Sequence, residues 1–438
     1  MNESSRIRAP SDLSSVITVS KTQLFAWIVF FSGILYYCFA YLLRIYPSVM
    51  EFHLLRYFHI TAGSFGVLTA SYYFAYAPMQ LPVGVSVDKV GPRRSLIVAC
   101  LISTTGAALF ASSTDIYIAL LGRFLIGLGS AFAYVTALKL ATIWLPRKYF
   151  ATATGAVTGF GMVAAILTDM GLTNMIQHIG FRATIHFPIY VGVVLLFIIV
   201  LFIRDKPKQL NTNTKSAEMP SLSFRQLGQH LKLIAKNPQM WIIGAVGALL
   251  YLPSSVFLDT WAIPYLKGVD HFSSQQAAFG ASLMLAGWIC SSFTSGALSD
   301  LYGSRKIPLL LASISATLIS CIVLFDTHLA QWAVFTLLFC FGFACGPHPL
   351  CFTLSKENYG LNISGTAISF ANFVIMMGGF IFQPIVGKLL DIGWTGHIAY
   401  GIRIYSKADY VHAVSIIPVG LALAFVLTLF IKETYRPS

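Results

Sequence analysis

Apolar and polar residues come in long blocks along this chain rather than in short alternation. Thr22–Leu43 holds 22 residues without a charge and Ile307–Phe325 holds 19, where a helix needs about 20 to cross a bilayer. In lipid the backbone must satisfy its own hydrogen bonds, which leaves helices or closed barrels. These blocks are too continuous for barrel strands, which alternate every second residue. The pattern predicts membrane helices over 24–48, 60–86, 95–113, 117–144, 149–174 and 185–203, then over 240–266, 275–298, 307–325, 329–354, 362–391 and 411–431. The chain then divides into a tail (1–20), a six-helix bundle (21–203), a polar, basic linker (204–239), a second six-helix bundle (240–431) and a short tail (432–438). Within the linker, Phe224–Lys236 has the alternation of an amphipathic helix lying on a membrane surface.

One polar stretch occurs twice. Gly84, Asp88, Gly91, Arg93 and Arg94 separate two apolar blocks, and Gly296, Asp300, Gly303, Arg305 and Lys306 do so again 212 positions later. Such a repeat points to duplicated halves. The first glycine lets helices approach closely, the aspartate caps or pairs locally, and the second glycine permits a tight reversal. The basic pair is suited to carboxylates on neighbouring helices. A weaker echo is Gly180-Phe181 against Gly393-Trp394, 213 positions apart. The doubled stretch resembles the signature loop of the major facilitator superfamily, found between helices 2 and 3 and between 8 and 9. The resemblance implies an all-α membrane protein with twelve transmembrane helices in two pseudo-symmetric bundles and a substrate site between them. It also implies that the two loops form a conformational gate.

Composition agrees. The chain is 56% hydrophobic and 10% charged, with a mean hydropathy of +0.74, whereas soluble domains have about 25% charged residues. The net charge of +13 does not imply nucleic acid, because the basic residues sit in alternate loops. Arg6, Arg8, Lys21, Lys89, Arg93, Arg94, Arg147, Lys148, the linker group, Arg305, Lys306, Lys356, Lys432 and Arg436 fall on one side; Arg56, Arg182 and Lys267 fall on the other. That bias places both termini in the cytoplasm. The apolar block from Leu24 is too long for a cleavable signal. The seven cysteines lie in apolar blocks and read as small core residues, with neither pairing framework nor metal spacing.

Further motifs are Arg44-Ile45-Tyr46-Pro47-Ser48-Val49-Met50, Phe58-His59-Ile60-Thr61, Tyr76-Ala77-Pro78-Met79-Gln80-Leu81-Pro82-Val83-Gly84, Asn237-Pro238-Gln239 with Trp241, and Gln383-Pro384-Ile385-Val386-Gly387 before Asp391. These resemble the phagosomal transporter family of intracellular Gram-negative bacteria, over most of residues 24–431. The resemblance implies a bacterial inner-membrane transporter; members are associated with uptake of amino acids and nucleosides, and relatives with siderophore traffic. Asp169 departs from the small or neutral residue expected there.

Charges inside membrane spans mark sites. On the first helix Gly33, Tyr37, Tyr41 and Arg44 share one face, and Arg44 is either a fork for a substrate carboxylate or phosphate or a snorkelling side chain. Arg123, with Gly127, Ser130 and Tyr134 on its face, resembles the second signature of the superfamily and serves either proton coupling or a structural pair. Lys139 is expected to snorkel. Gly155, Gly159 and Gly161 resemble the third signature and suit close packing. Asp169 is either a proton carrier or half of an ion pair. On the seventh helix Tyr251, Ser255 and Asp259 share a face bracketed by Pro253 and Pro264, where a broken helix would bare its backbone; Asp259 is either a second acid for protons or an amine, or an interfacial acid near the outer mouth. His348 titrates in a useful range or is a satisfied core residue. Stripes of Thr69, Tyr73, Tyr76 and Gln80, and of Asn372, Met376, Gly379 and Gln383, provide polar and aromatic lining or helix-to-helix bonds.

The expectation is a monomeric, proton-coupled importer of a small polar metabolite, an amino acid or relative, without cofactor or metal. The alternatives are an exporter of a larger amphipathic solute such as a siderophore or drug, and a transport-dead receptor. No phosphate-binding loop, histidine-rich cluster or nucleophile elbow supports an enzyme.

Overall fold

The computed structural model describes residues 13–146, 149–205, 222–326 and 329–434. Arg6, Arg8, Arg147, Lys148, Arg436 and linker residues 206–221, all drawn on above, lie outside that set. The first half contains α1 (Leu13–Val49), α2 (Glu51–Phe58), α3 (Ala62–Met79), α4 (Val83–Val90), α5 (Pro92–Ser112), α6 (Ile116–Ser130), α7 (Ala133–Trp144) and α8 (Phe150–Phe202). After the linker helix α9 (Phe224–Ala235) come α10 (Pro238–Leu252), a π-helix (Pro253–Trp261), α11 (Ala262–Gly268), α12 (Ser274–Leu301), α13 (Lys306–Phe325), α14 (Gln331–Cys345), α15 (Leu350–Glu357) and α16 (Leu361–Gly393). A two-residue hairpin, β1 (Ile398–Ala399) and β2 (Ile402–Arg403), precedes α17 (Lys407–Val414) and α18 (Ile416–Leu429).

These elements make twelve crossings, six in each half. The 53 residues of α8 would run to about 80 Å as one rod, far beyond a bilayer. Gly180 divides them into two spans, with φ 82° and ψ 167°. The second span changes from α3 to α4 at Gln80–Pro82, just after Pro78. The fourth and tenth spans are likewise divided, as α6–α7 and α14–α15. The first helix begins at Leu13, so residues 13–20, expected as tail, are helical. Helices flank lipid with their apolar sides, including exposed Val194, Phe197 and Leu201 of α8.

Lipid removes most of the hydrophobic drive between helices, so close backbone approach does more of the packing. The two halves repeat this device. A Cβ on Gly127 of α6 would lie 2.0 Å from the Tyr72 carbonyl oxygen of α3, and one on Gly342 of α14 would lie 1.8 Å from that of Met284 on α12. Tyr72 and Met284 are 212 positions apart, the interval of the doubled loop. The main buried cluster joins both halves, from Val29 to Ile431.

Candidate functional site

The doubled loops, both termini of the described chain and α9 lie at one end of the bundle, here the basic end. The α2 segment, the Gly180 turn and the β1–β2 hairpin lie at the far end.

Helix α1 carries Pro47 in its last turns. A proline has no N–H, so the carbonyl four residues earlier loses its helical donor. That carbonyl belongs to Leu43, and Arg123 of α6 supplies the missing donor: Nη1 donates to Leu43 O at 2.6 Å and Nη2 to Arg44 O at 3.4 Å. The Arg123 guanidinium lies over the rings of Tyr72 and Tyr46 at 5.3 and 5.8 Å. Among the described residues it has no carboxylate partner, so the structural pair expected inside the first half is a pair with backbone carbonyls instead.

Arg44, fixed by this arrangement, turns toward the second half. Its Nε donates to Asp259 Oδ2 at 2.7 Å and Nη2 donates to the Tyr251 hydroxyl at 2.8 Å. Tyr73 of α3 donates to the same Asp259 oxygen. The guanidinium is stacked among Tyr41, Tyr73 and Tyr251, 5.3 to 5.7 Å from the three ring centres. Both charged residues are buried, at 7% and 4% exposure, so Arg44 does not snorkel. A buried pair of this kind is strongly coupled, because either charge left alone bears its full desolvation penalty.

Asp259 sits in the π-helix of the seventh span. Pro253 and Pro264 do not break this helix, as the sequence led us to expect; it widens over Pro253–Trp261. Such bulges free backbone groups, and here Gln383 of α16 donates to Ser255 O at 2.6 Å. Its own Oε1 is buried without a partner. His348 stacks on Tyr251 at 4.9 Å and meets Trp288 at 5.4 Å, with Nδ1 unpartnered. Tyr37 and Tyr41 pack edge to face at 5.1 Å, with Gly161 of α8 against both; Gly159 has no neighbour within 4 Å of its Cβ position. Tyr76, half-buried, stacks on Tyr72 at 5.3 Å. Asn372 donates to Gln80 Oε1 across the halves at 3.0 Å.

Asp169 of α8 differs from Asp259. It is 1% exposed, its Oδ1 accepts no hydrogen bond, and no ion pair among the described residues includes it. The ion-pair alternative for Asp169 is not realised.

At the basic end, the ion pairs among the described residues each lie within one half. Asp88 pairs with Lys139 at 2.7 Å, so the half-exposed ammonium of that lysine reaches the loop at the basic end and meets an acid there. The Arg93 N–H donates to Asp205 Oδ1 at 2.9 Å and its Nη2 to Val200 O at 3.1 Å, while Arg94 is exposed. Arg305 bonds Asp300 at 2.6 Å and Glu357 of α15 at 3.2 Å. Gly91 and Gly303 turn the chain with φ of 89° and 58°. Gly84 and Gly296, expected to bring helices together, have nothing within 4 Å of their Cβ positions.

At the far end the halves are joined. Asp391, at the end of α16, accepts from Thr61 Oγ1 at 2.6 Å and from the Gly63 N–H at 2.9 Å. Beside it is a cavity of about 220 Å³ lined by Ser48, Glu51, Thr173, Lys267, Arg403 and Tyr405, among others. Burial pushes the Glu51 carboxyl up to about 7, against the opposing pull of Lys267. The sequence reading did not join these residues: the signals were a lone acid closing an apolar block, a glycine four residues before it, Gly387, and a glycine pair three apart, Gly63 and Gly66, whose mutual position no periodicity gives.

The profile described as Major Facilitator Superfamily matches residues 26–383. The chain is 26% identical over 275 residues to a probable sulfoacetate transporter of Cupriavidus necator, a match spanning 61% of this chain and 63% of that protein, less than two thirds of its length. It is 22% identical over 392 residues to a probable hexose phosphate transport protein of Chlamydia trachomatis, spanning 84% of this chain and 86% of that protein. Among solved structures, a bacterial homolog of the human lysosomal transporter Spinster, inward-facing and unoccupied, superposes with a TM-score of 0.77 over 94% of this chain and 99% of that chain at 16% identity, which shows the shared fold. With the duplicated packing and the profile match over most of its length, this chain belongs to the Major Facilitator Superfamily and is a multi-pass membrane transporter.

Proposed function

We propose that this transporter moves a small organic anion, a carboxylate, sulfonate or phosphate ester, into the bacterial cytoplasm together with protons. The observation that carries the reading is the Arg44–Asp259 pair, a buried guanidinium whose only carboxylate partner among the described residues lies on the opposite half. An anion that takes Arg44 leaves Asp259 without a counter-charge, and a buried unpaired carboxylate is costly unless it takes up a proton. Anion and proton therefore enter the site together. Asp169, buried and unpartnered, is a second proton carrier in the same seam. In this reading Tyr37, Tyr41, Tyr76, Asn372, His348 and the free Oε1 of Gln383 are the further side chains that meet the solute.

The substrates named for the two relatives, sulfoacetate and hexose phosphate, are both organic anions and neither is an amino acid. They support a guanidinium fork and shift the proposed class away from amino acids. The basic bias of one end supports a cytoplasmic position for that end and for both termini. Among the described residues, the hydrogen bonds between the halves run from the far end inward as far as Gln80–Asn372, which supports a far end that is shut.

The test is counterflow and pH-driven uptake in proteoliposomes, with sulfonates, phosphate esters, carboxylates and amino acids as competitors. Arg44→Gln should abolish both activities at normal expression. Asp169→Asn should retain exchange while losing most pH-driven accumulation. Uptake indifferent to Arg44→Gln, or competition by amino acids alone, would overturn the reading.

A further inference from the structure

We infer that Asp391 is the outer gate residue of this transporter: a carboxylate on the second half that clamps the start of α3 on the first half and must let go before the far end opens. Oδ2 accepts from Thr61 Oγ1 at 2.6 Å and from the Gly63 N–H at 2.9 Å. Oδ1 accepts from the Tyr405 hydroxyl at 2.7 Å and, at 3.4 Å, from Arg403. Tyr405 relays the contact, because its oxygen also accepts the Ala62 N–H at 3.0 Å. The amides of Ala62 and Gly63 open a helix and have no intrahelical acceptor, and the positive end of that helix faces the carboxylate.

The backbone is shaped for this contact. A Cβ on Gly63 would lie 2.6 Å from Asp391 Oδ2, one on Gly387 would lie 2.2 Å from the Ala62 carbonyl oxygen, and one on Gly66 would lie 2.5 Å from that of Gln383. Three glycines thus allow α3 and α16 to meet closely enough for the acid to reach the helix end. A carboxylate that only stabilised its own half would take its donors there. Asp391 draws two donors directly, and a third through Tyr405, from the half that has to swing away. The acids of the doubled loops, Asp88 and Asp300, do the opposite and pair within their own halves. Asp391 therefore closes the far end, where it joins the two halves.

The reporter is Ser48, 1% exposed and lining the far-end cavity beneath this contact. Ser48→Cys in the full-length protein is labelled with a membrane-impermeant maleimide applied to the far-end face of sealed, right-side-out vesicles; the same background without Ser48→Cys corrects for native cysteines. Adding Asp391→Ala should raise the labelling rate at least about tenfold, the equilibrium change that the loss of a single charge-assisted hydrogen bond would already give. Thr61→Val and Tyr405→Phe, which keep shape and remove one hydroxyl each, should raise it severalfold and decide the matter if Asp391→Ala fails to fold. Unchanged labelling in both conservative variants would overturn the assignment. The readout uses no substrate, so its failure leaves the anion proposal standing, and failure of uptake leaves this one standing.

Discussion

The far end and the basic end of this molecule use the same residue types in opposite ways. At the far end Asp391 holds Thr61 and Gly63 of the other half, and Gly66 and Gly387 are filled by backbone from across the seam. At the basic end Asp88 and Asp300 hold partners in their own halves, and Gly84 and Gly296 meet nothing. Among the described residues the acids of the duplicated loop therefore pair within their own halves in this state, while an unduplicated acid does the joining. The difference teaches that a repeat in sequence marks where the two halves share structure, and that the contact closing one state is found where the halves differ.

The largest break in that comparison comes from the mid-membrane bond that both states must renegotiate. Arg44→Ala leaves Asp259 buried with its counter-charge gone, a loss of about 3–5 kcal/mol for a buried pair. The thermal midpoint of the purified protein should fall sharply. Adding Asp259→Ala should restore part of it, because the double variant no longer buries a lone charge. Strictly additive losses would mean that the two residues do not act as a pair.

A smaller effect separates the ends directly. Gly387→Ala places a methyl where the Ala62 carbonyl oxygen is 2.2 Å away, and overpacking of that kind typically costs about 1–3 kcal/mol. Gly84→Ala meets only open space and should shift the midpoint by less than about 0.5 kcal/mol, as an unobstructed substitution does. If the basic end closes against Gly84 later in the cycle, the same variant slows counterflow while leaving stability unchanged. Equal midpoint shifts for the two glycines would erase the contrast.

Much of this was open to reading in the residues themselves. Twelve apolar blocks, the doubled loop and the rare intramembrane charges are local signals, and spacing put Arg44 on one face with Tyr37 and Tyr41, and Asp259 on one face with Tyr251 and Ser255, without deciding whether those faces turn inward. Their partnership was not readable, because Arg44 and Asp259 stand 215 positions apart and the register between two bundles is set by packing rather than by periodicity. Lys139 is a related case: its position near a helix end fits snorkelling, and only the fold reveals that Asp88 lies within reach. The widened seventh helix escaped notice because two prolines signal a break and carry no information about how neighbouring backbone is reorganised. Arg123 as donor to the carbonyl freed by Pro47 was in principle deducible from proline chemistry, except that nothing local says which helix supplies the donor.

The smallest expected effect tunes the far end by acidity. Glu51 lies in the far-end cavity with Lys267, Arg403, Tyr410 and His53, and burial raises its carboxyl from 4.5 to about 7. A raised carboxyl favours the protonated, closed arrangement: its contribution is complete below about 4.5, is lost as pH climbs through about 7, and is flat above. His53, stacked on Phe181 at 5.2 Å, has a pKa lowered from 6.5, first by burial and then by Lys267 and Arg56. Its contribution runs the other way, declining as pH falls below its ordinary value. The two oppose each other between about pH 5 and 7, so the wild-type far end should respond weakly across that range. Glu51→Gln leaves His53 alone, and closure, followed as the distance between spin labels on α2 and β2, should strengthen as pH rises from 5 to 7. His53→Gln leaves Glu51 alone and should reverse the slope. The same slope in both variants would show that neither group senses whether the far end is shut.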